Sequence, residues 1–275
     1  SVSASGGPGF QWRKNGTAIP GATLASLTLN NLSASAAGSY DVVATNAAGS
    51  VTSAAATLLI NDGLANRVSN VAVRTTLAAN QILIVGLTVQ GGSRDILIRA
   101  AGPILGALGV PGTMADPKLA VFNGSAQEAF NDNWDGAPAV STASASVGAF
   151  PFTASNSLDA AVVRSIDGGR TVQVSGPASG NLIVEAYDIG TGNSPRLTNL
   201  SARNFVGTGN DILIAGFTVS GPGNKNLLIR AAGPSLGALG VPNTLLDPKL
   251  QLFTAATPAA KIGENDDYSP TLPAL

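Results

Sequence analysis

The stretch Ile96–Phe122, ILIRAAGPILGALGVPGTMADPKLAVF, returns as Leu227–Phe253, LLIRAAGPSLGALGVPNTLLDPKLQLF, with roughly three-quarters of its positions identical. Self-similarity at a fixed spacing constrains a fold before any other feature does, because each copy must close around the same kind of core. The sequence therefore predicts two copies of one module in tandem. Tandem modules build length, reach or assembly, and a single catalytic centre has no need of a second copy.

Composition narrows the function classes. The 275 residues give room for two or three domains, each large enough to bury a core. Only 11% of residues are charged and the formal net charge is −1. A nucleic-acid binder presents a basic face, and this chain has too few cations to make one. Ser, Thr, Asn, Gly and Ala must cover the surface, and such a surface repels its neighbours weakly. The chain has no Cys and no His, which excludes disulfides, zinc sites of the usual kind, a Cys nucleophile and the Ser-His-Asp triad. No apolar run approaches the ~20 residues that span a bilayer, and no signal peptide opens the sequence.

Along the chain, residues 1–60 read as short alternating strands broken by turn chemistry: Phe10-Gln11-Trp12, a turn at Lys14-Asn15-Gly16, then Ser26–Leu29, Ser39–Thr45 and Val51–Ile60. From Phe10 to Ile60 this pattern resembles an immunoglobulin-like domain of the I-set type. The resemblance puts Trp12 at the core tryptophan and Tyr40 at the tyrosine corner, and implies that Phe10, Trp12 and Tyr40 are core residues. It places Val2 and Val42 at the two disulfide positions, where an apolar contact replaces the bridge. Ala36 departs from the acidic residue common there.

Asn61–Asn66 and Gly190–Pro195 are polar linkers. Between them the predicted strands are Val68–Arg74, Gln81–Gln90, Asp95–Ala101, Lys118–Phe122, Ala160–Ser165, Thr171–Ser175 and Asn181–Asp188, with one helical turn at Leu105–Gly109. The expected fold class is all-β: an Ig-like β-sandwich (residues 1–62, first strand missing) followed by two jelly-roll or Greek-key-like β-sandwich repeats, 63–193 and an incomplete 194–275. Both ends fall inside modules on this reading, so the chain is expected to be a piece of something longer. The repeat resembles a Gly/Ala-rich β-module of large exported proteins from environmental Gram-negative bacteria, often found beside Ig-like domains.

Three constellations could carry chemistry. Asn131-Asp132-Asn133-Trp134-Asp135 and Asn265-Asp266-Asp267-Tyr268 occupy matching places in the two copies. Clustered oxygens suit Ca²⁺, but neither run has EF-hand spacing and Asn/Asp runs are ordinary turn formers. Trp134 and Tyr268 beside those knots could stack on sugar rings or cover the end of each sandwich. Arg99 and Arg230 each end an apolar strand, and Asp116 and Asp247 each open another, so structural ion pairs Arg99–Asp116 and Arg230–Asp247 are expected. Of the three Glu, at 128, 185 and 264, no two stand out as a catalytic pair.

The leading expectation is an extracellular, non-catalytic structural protein of a bacterial surface, a fibre, filament or adhesin stalk assembled from copies of itself through β-sheet contacts. The rival is a carbohydrate-binding module of a secreted polysaccharide-degrading enzyme, with Trp134 and Tyr268 touching sugar or another cell-surface ligand. Neither needs a cofactor beyond optional Ca²⁺.

Overall fold

Strands take up 46% of the described residues and helices 8%, so the computed structural model is all-β, with antiparallel sheets. It describes residues 1–30, 36–58, 66–190, 192, 194–209, 211–221 and 224–267.

The first sheet uses β1 (Gly9–Lys14), β2 (Thr17–Ala18), β3 (Gly38–Asn46), β4 (Gly49–Thr52) and β5 (Ala56–Leu58). β3 lies at its centre, paired with β1, β4 and β5. Arg13 and Asp41 face each other across β1 and β3 and join through two hydrogen bonds, 2.6 and 2.9 Å. The Tyr40 hydroxyl donates to the Ala36 carbonyl oxygen, 2.7 Å away. Tyr40 and Val42 are buried, whereas Phe10, Trp12 and Val2 are only half-buried. The expected aromatic core is thus reduced to Tyr40, since Phe10 and Trp12 keep one side open.

The second sheet has eight strands. β6 (Arg67–Leu77), β7 (Leu83–Ala101), β8 (Lys118–Asn123), β9 (Ala126–Asn131), β10 (Ala160–Ser175) and β11 (Gly180–Asp188) belong to the first copy, and β12 (Arg196–Arg203) and β13 (Ile214–Ser220) to the second. The predicted pairs Gln81–Gln90 with Asp95–Ala101, and Ala160–Ser165 with Thr171–Ser175, are each one long bent strand. β7 turns at Gly91 and Gly92, where φ is 91° and 116°, values that side chains disfavour. β10 shifts register at the same level, between Ile166 and Gly168. Bending folds the sheet onto itself. The half carrying Leu83, Val85, Leu87, Val172, Val174, Leu119 and Val121 faces the half carrying Ile96, Ile98, Ala100, Val184, Ala186 and Val71 across one apolar core. Strand β9 was not expected from its Ala-Gln-Glu-Ala-Phe sequence; it forms because β8 offers it an edge.

A second apolar cluster lies on the other face of β7 and β11. Leu97, Ala101, Ala161 and Tyr187 meet Ile104 of α1 (Pro103–Ala107), Val140 and Ala143 of α2 (Pro138–Ser146), Trp134, Ala149 and Phe152. The helical turn begins two residues earlier than Leu105 because Pro103, with its fixed φ and no N–H to lose, opens it. Helix α2 carries no charged side chain and no capping hydrogen bond, so its packing holds it.

Beyond β13 come α3 (Pro234–Gly237) and the hairpin of β14 (Leu250–Phe253) and β15 (Lys261–Asn265). No described helix is long and apolar enough to cross a membrane.

Candidate inter-repeat interface

The expected module boundary at 193/194 is crossed by backbone pairing. β12 opens the second copy with Arg-Leu-Thr-Asn-Leu-Ser-Ala-Arg, and β6 opens the first with Arg-Val-Ser-Asn-Val-Ala-Val-Arg. Likewise Ile212–Val219, ILIAGFTV, repeats Ile82–Val89, ILIVGLTV. β12 pairs with the first half of β7, and β13 pairs with β6. The opening strand of each copy therefore lies against the second strand of the other. Arg203 faces Ile84 as Arg74 faces Ile214, Ser201 faces Gly86 as Ala72 faces Gly216, and Leu200 faces Leu87 as Val71 faces Phe217. Even the irregularity recurs: Thr198 in β12 and Ser69 in β6 are skipped at equivalent points of the two ladders.

Equal registers on both sides amount to a two-fold exchange of strands within one chain. The register is fixed by side-chain alternation, since a one-residue slip would turn Leu197 and Leu200 away from the core. Leu197 is 1% exposed and belongs to the first copy's core. Side chains lock the seam further: Ser69 and Ser220 hydroxyls lie 2.6 Å apart, and Asn204 donates to the Thr75 hydroxyl at 2.8 Å.

The link between the copies is held by charge. Asp188, 1% exposed, accepts a hydrogen bond from Arg94 and lies 3.7 Å from the Arg67 guanidinium. Arg67 also donates to the Gly190 and Gly192 carbonyls, and Arg94 to Gly192. Two guanidiniums around one buried carboxylate thereby pin the linker that leads into β12. Sequence reasoning passed over these residues, although an acid at the end of one strand, Asp188, and Arg at the start of another, Arg67, were visible.

Arg99 is fully buried, and its carboxylate partner is Glu185, 3.4 Å away, not Asp116. The pairing register explains the correction: Glu185 of β11 lies directly opposite Arg99 of β7. Asp116 is half-buried in the loop before β8, with no ion pair among the described residues. The Arg99 guanidinium lies against both Phe150 and Phe152, 4.3 and 4.2 Å from the ring centres. Glu185 also accepts from the Tyr187 hydroxyl at 2.7 Å. Burial pushes the Glu185 carboxyl up and the Arg99 guanidinium down, each against the pull of its partner. The Tyr187 phenol is pushed up by burial and by Glu185.

Arg230 and Asp247, the second expected pair, are both exposed and form no ion pair among the described residues. Lys249 instead meets Glu264 at 2.8 Å and Asp266 at 3.8 Å, much as Lys118 meets Asp132 at 3.1 Å.

The first acidic knot leads into a turn over 134–137, and the described part of the second lies at the end of β15. Asn131 donates to the Asn133 carbonyl and accepts from Ala161 N–H, both at 2.8 Å, and Asn265 donates to the Asp267 carbonyl at 3.0 Å. Asp135 is exposed with φ 51° at the tip of its turn. No group of three or more carboxylates suited to a metal ion occurs among the described residues. Trp134 is buried, packed edge-on against Phe152 at 5.5 Å and donating to the Ala154 carbonyl at 3.0 Å. It therefore packs into the apolar cluster on the outer face of β7 and β11 and offers no platform to a sugar; Tyr268 lies outside the described residues. Each Glu is held by a cation, Glu128 by Arg170 at 2.6 Å, Glu185 by Arg99 and Glu264 by Lys249 and Lys261. A cleft of about 370 Å³ lined by β6, Pro111, Asp211, Ile212 and Ile214 has Arg74 and Asp211 as its charged groups among the described residues.

The chain matches no protein-family model, no curated protein and no solved structure. The geometry of the seam is therefore what a functional reading must start from.

Proposed function

We propose that this chain is a non-catalytic structural repeat protein of a bacterial surface, an Ig-like β-sandwich followed by tandem β-sandwich repeats, serving as fibre, filament or stalk by pairing with copies of itself. One observation carries the reading: β12 and β13 pair into the sheet of the preceding copy, so sheet structure runs through the repeat boundary. Main-chain ladders of this kind couple neighbouring repeats stiffly, as a load-bearing array requires. The hydroxyl of Tyr40 on Ala36 O fits the Ig-like assignment of residues 1–62. A surface with 11% charged residues favours side-by-side packing, and every Glu is engaged by a cation instead of facing a cleft. The sugar-binding reading loses its first aromatic with the burial of Trp134.

Negative-stain electron microscopy across a concentration series tests the proposal. Rods or filaments that lengthen with concentration are expected; compact monomers at every concentration would overturn it.

A further inference from the structure

The second copy contains an uncovered version of a strand whose covering is visible in the first. In the first copy, Arg94–Ala101 of β7 runs between β11 on one side and the first half of β10 on the other. Ile96, Leu97 and Ile98 are 0%, 0% and 1% exposed, and Arg99 is 0% exposed. The same letters in the second copy, Leu227, Leu228 and Ile229, are 36%, 86% and 41% exposed. Arg230 is exposed as well, and residues 224–232 form no strand. Three consecutive apolar side chains on backbone with no ladder partner among the described residues make a sticky edge.

We infer that Leu227–Ala232 is a docking edge for an antiparallel strand of β11 chemistry, drawn from the C-terminal half of a repeat of this kind. The first copy specifies the occupant residue by residue. A Glu must lie opposite Arg230, as Glu185 lies opposite Arg99, with a small residue opposite Ile229 and an aromatic hydroxyl opposite Leu228, as Ala186 and Tyr187 lie opposite Ile98 and Leu97. Charge complementarity sets the register, because the guanidinium needs a carboxylate once the strand buries it. An alternating apolar strand without that Glu fits the groove but strands the cation. Two neighbouring features of the first copy recur in the second. α3 repeats α1, and β14 pairs with β15 in the register of β8 with β9, Leu250 facing Asn265 as Leu119 faces Asn131. The inference stands on the fold alone and survives if the chain forms no fibres.

The full chain is mixed with a synthetic peptide of its own residues 178–190, which spans β11 alone, and hydrogen exchange is followed at residues 226–232. Exchange there is expected to slow by roughly tenfold or more as ladder bonds form, while a peptide carrying both Val184→Pro and Ala186→Pro gives no protection. A peptide with Glu185→Ala protects less than the parent. Should the free peptide fail to stay in solution, the same segment fused after residue 275 through a flexible linker supplies the second measurement. Unchanged exchange at 226–232 in the soluble arm, or equal protection by the proline peptide, overturns the inference.

Discussion

The two copies of the repeat share most of their letters from Ile96 to Phe122 and from Leu227 to Phe253, yet only part of that stretch takes the same form in both. The helical turn after Gly-Pro forms twice, as α1 and α3, and the Lys-Leu hairpin forms twice, as β8–β9 and β14–β15. The strand Ile96–Ala101 forms once. The helical turn and hairpin are closed by neighbours within about 15 residues, so local sequence suffices. The strand is closed by Ala160–Ile166 and Ile183–Asp188, far along the chain. Among the described residues the second copy has no counterpart of either, and Leu228 remains 86% exposed where Leu97 is 0%. β structure of this kind belongs to the set of strands and not to any one of them.

Matched substitutions break or sharpen that comparison. The largest contrast is expected at the arginines. Arg99→Ala leaves Glu185 buried without its cation and should cost about 3–5 kcal/mol in urea unfolding. Arg230→Ala, on an exposed segment that forms no strand, should stay within about 0.5 kcal/mol. Equal losses at both sites would mean that the second copy is closed like the first.

Leu97→Ala against Leu228→Ala gives the apolar counterpart, about 2–4 kcal/mol against less than about 0.5 kcal/mol. The glycines before the two helical turns should instead behave alike. A Cβ on Gly102 would overlap the Met114 carbonyl, and one on Gly233 the Leu245 carbonyl. Gly102→Ala and Gly233→Ala should each cost about 1–3 kcal/mol of local or global stability, read by hydrogen exchange of the following turn. A neutral Gly233→Ala would show that the local form is not held in the second copy.

The smallest effects are in pH. Glu185 sits above its ordinary 4.5 because burial disfavours its charge. Its contribution is therefore present below pH 4.5 and fades as pH rises through the folded value. Glu264 is held at about 2 by Lys249, Lys261 and Gln251; its contribution is present above pH 4.5 and fades as pH falls toward 2. Stability against pH should lose the first slope in Glu185→Gln and the second in Glu264→Gln, with salt weakening only the exposed Glu264 effect.

How much was legible in the sequence follows the same division. The repeat of letters, the strand-rich class and the glycine-broken helical turn all rest on neighbours in sequence, and they could be read. The partner of Arg99 could not. Glu185 lies 86 positions away (185 − 99) and reaches it only through the β7–β11 register. Trp134 read as a loop aromatic because nothing in Pro138–Ser146 announces a helix that would roof it, the segment having neither a charged face nor a capping side chain. The bends at Gly91 and Gly168 read as strand ends, since a glycine pair marks both a turn and a bulge. The reciprocal pairing of β6 with β13 and of β12 with β7 is a relation between copies, which no local window carries.

That pairing can be tested directly because the chain has no cysteine of its own. Two double variants place thiols across the seam, Ala72→Cys with Gly216→Cys and Gly86→Cys with Ser201→Cys, each a directly opposed pair. Mild oxidation of dilute protein should close both pairs within a single chain, giving faster-migrating monomers on non-reducing gels. Free thiols under those conditions, or bridges formed only between separate chains, would contradict the exchange of strands between the two copies.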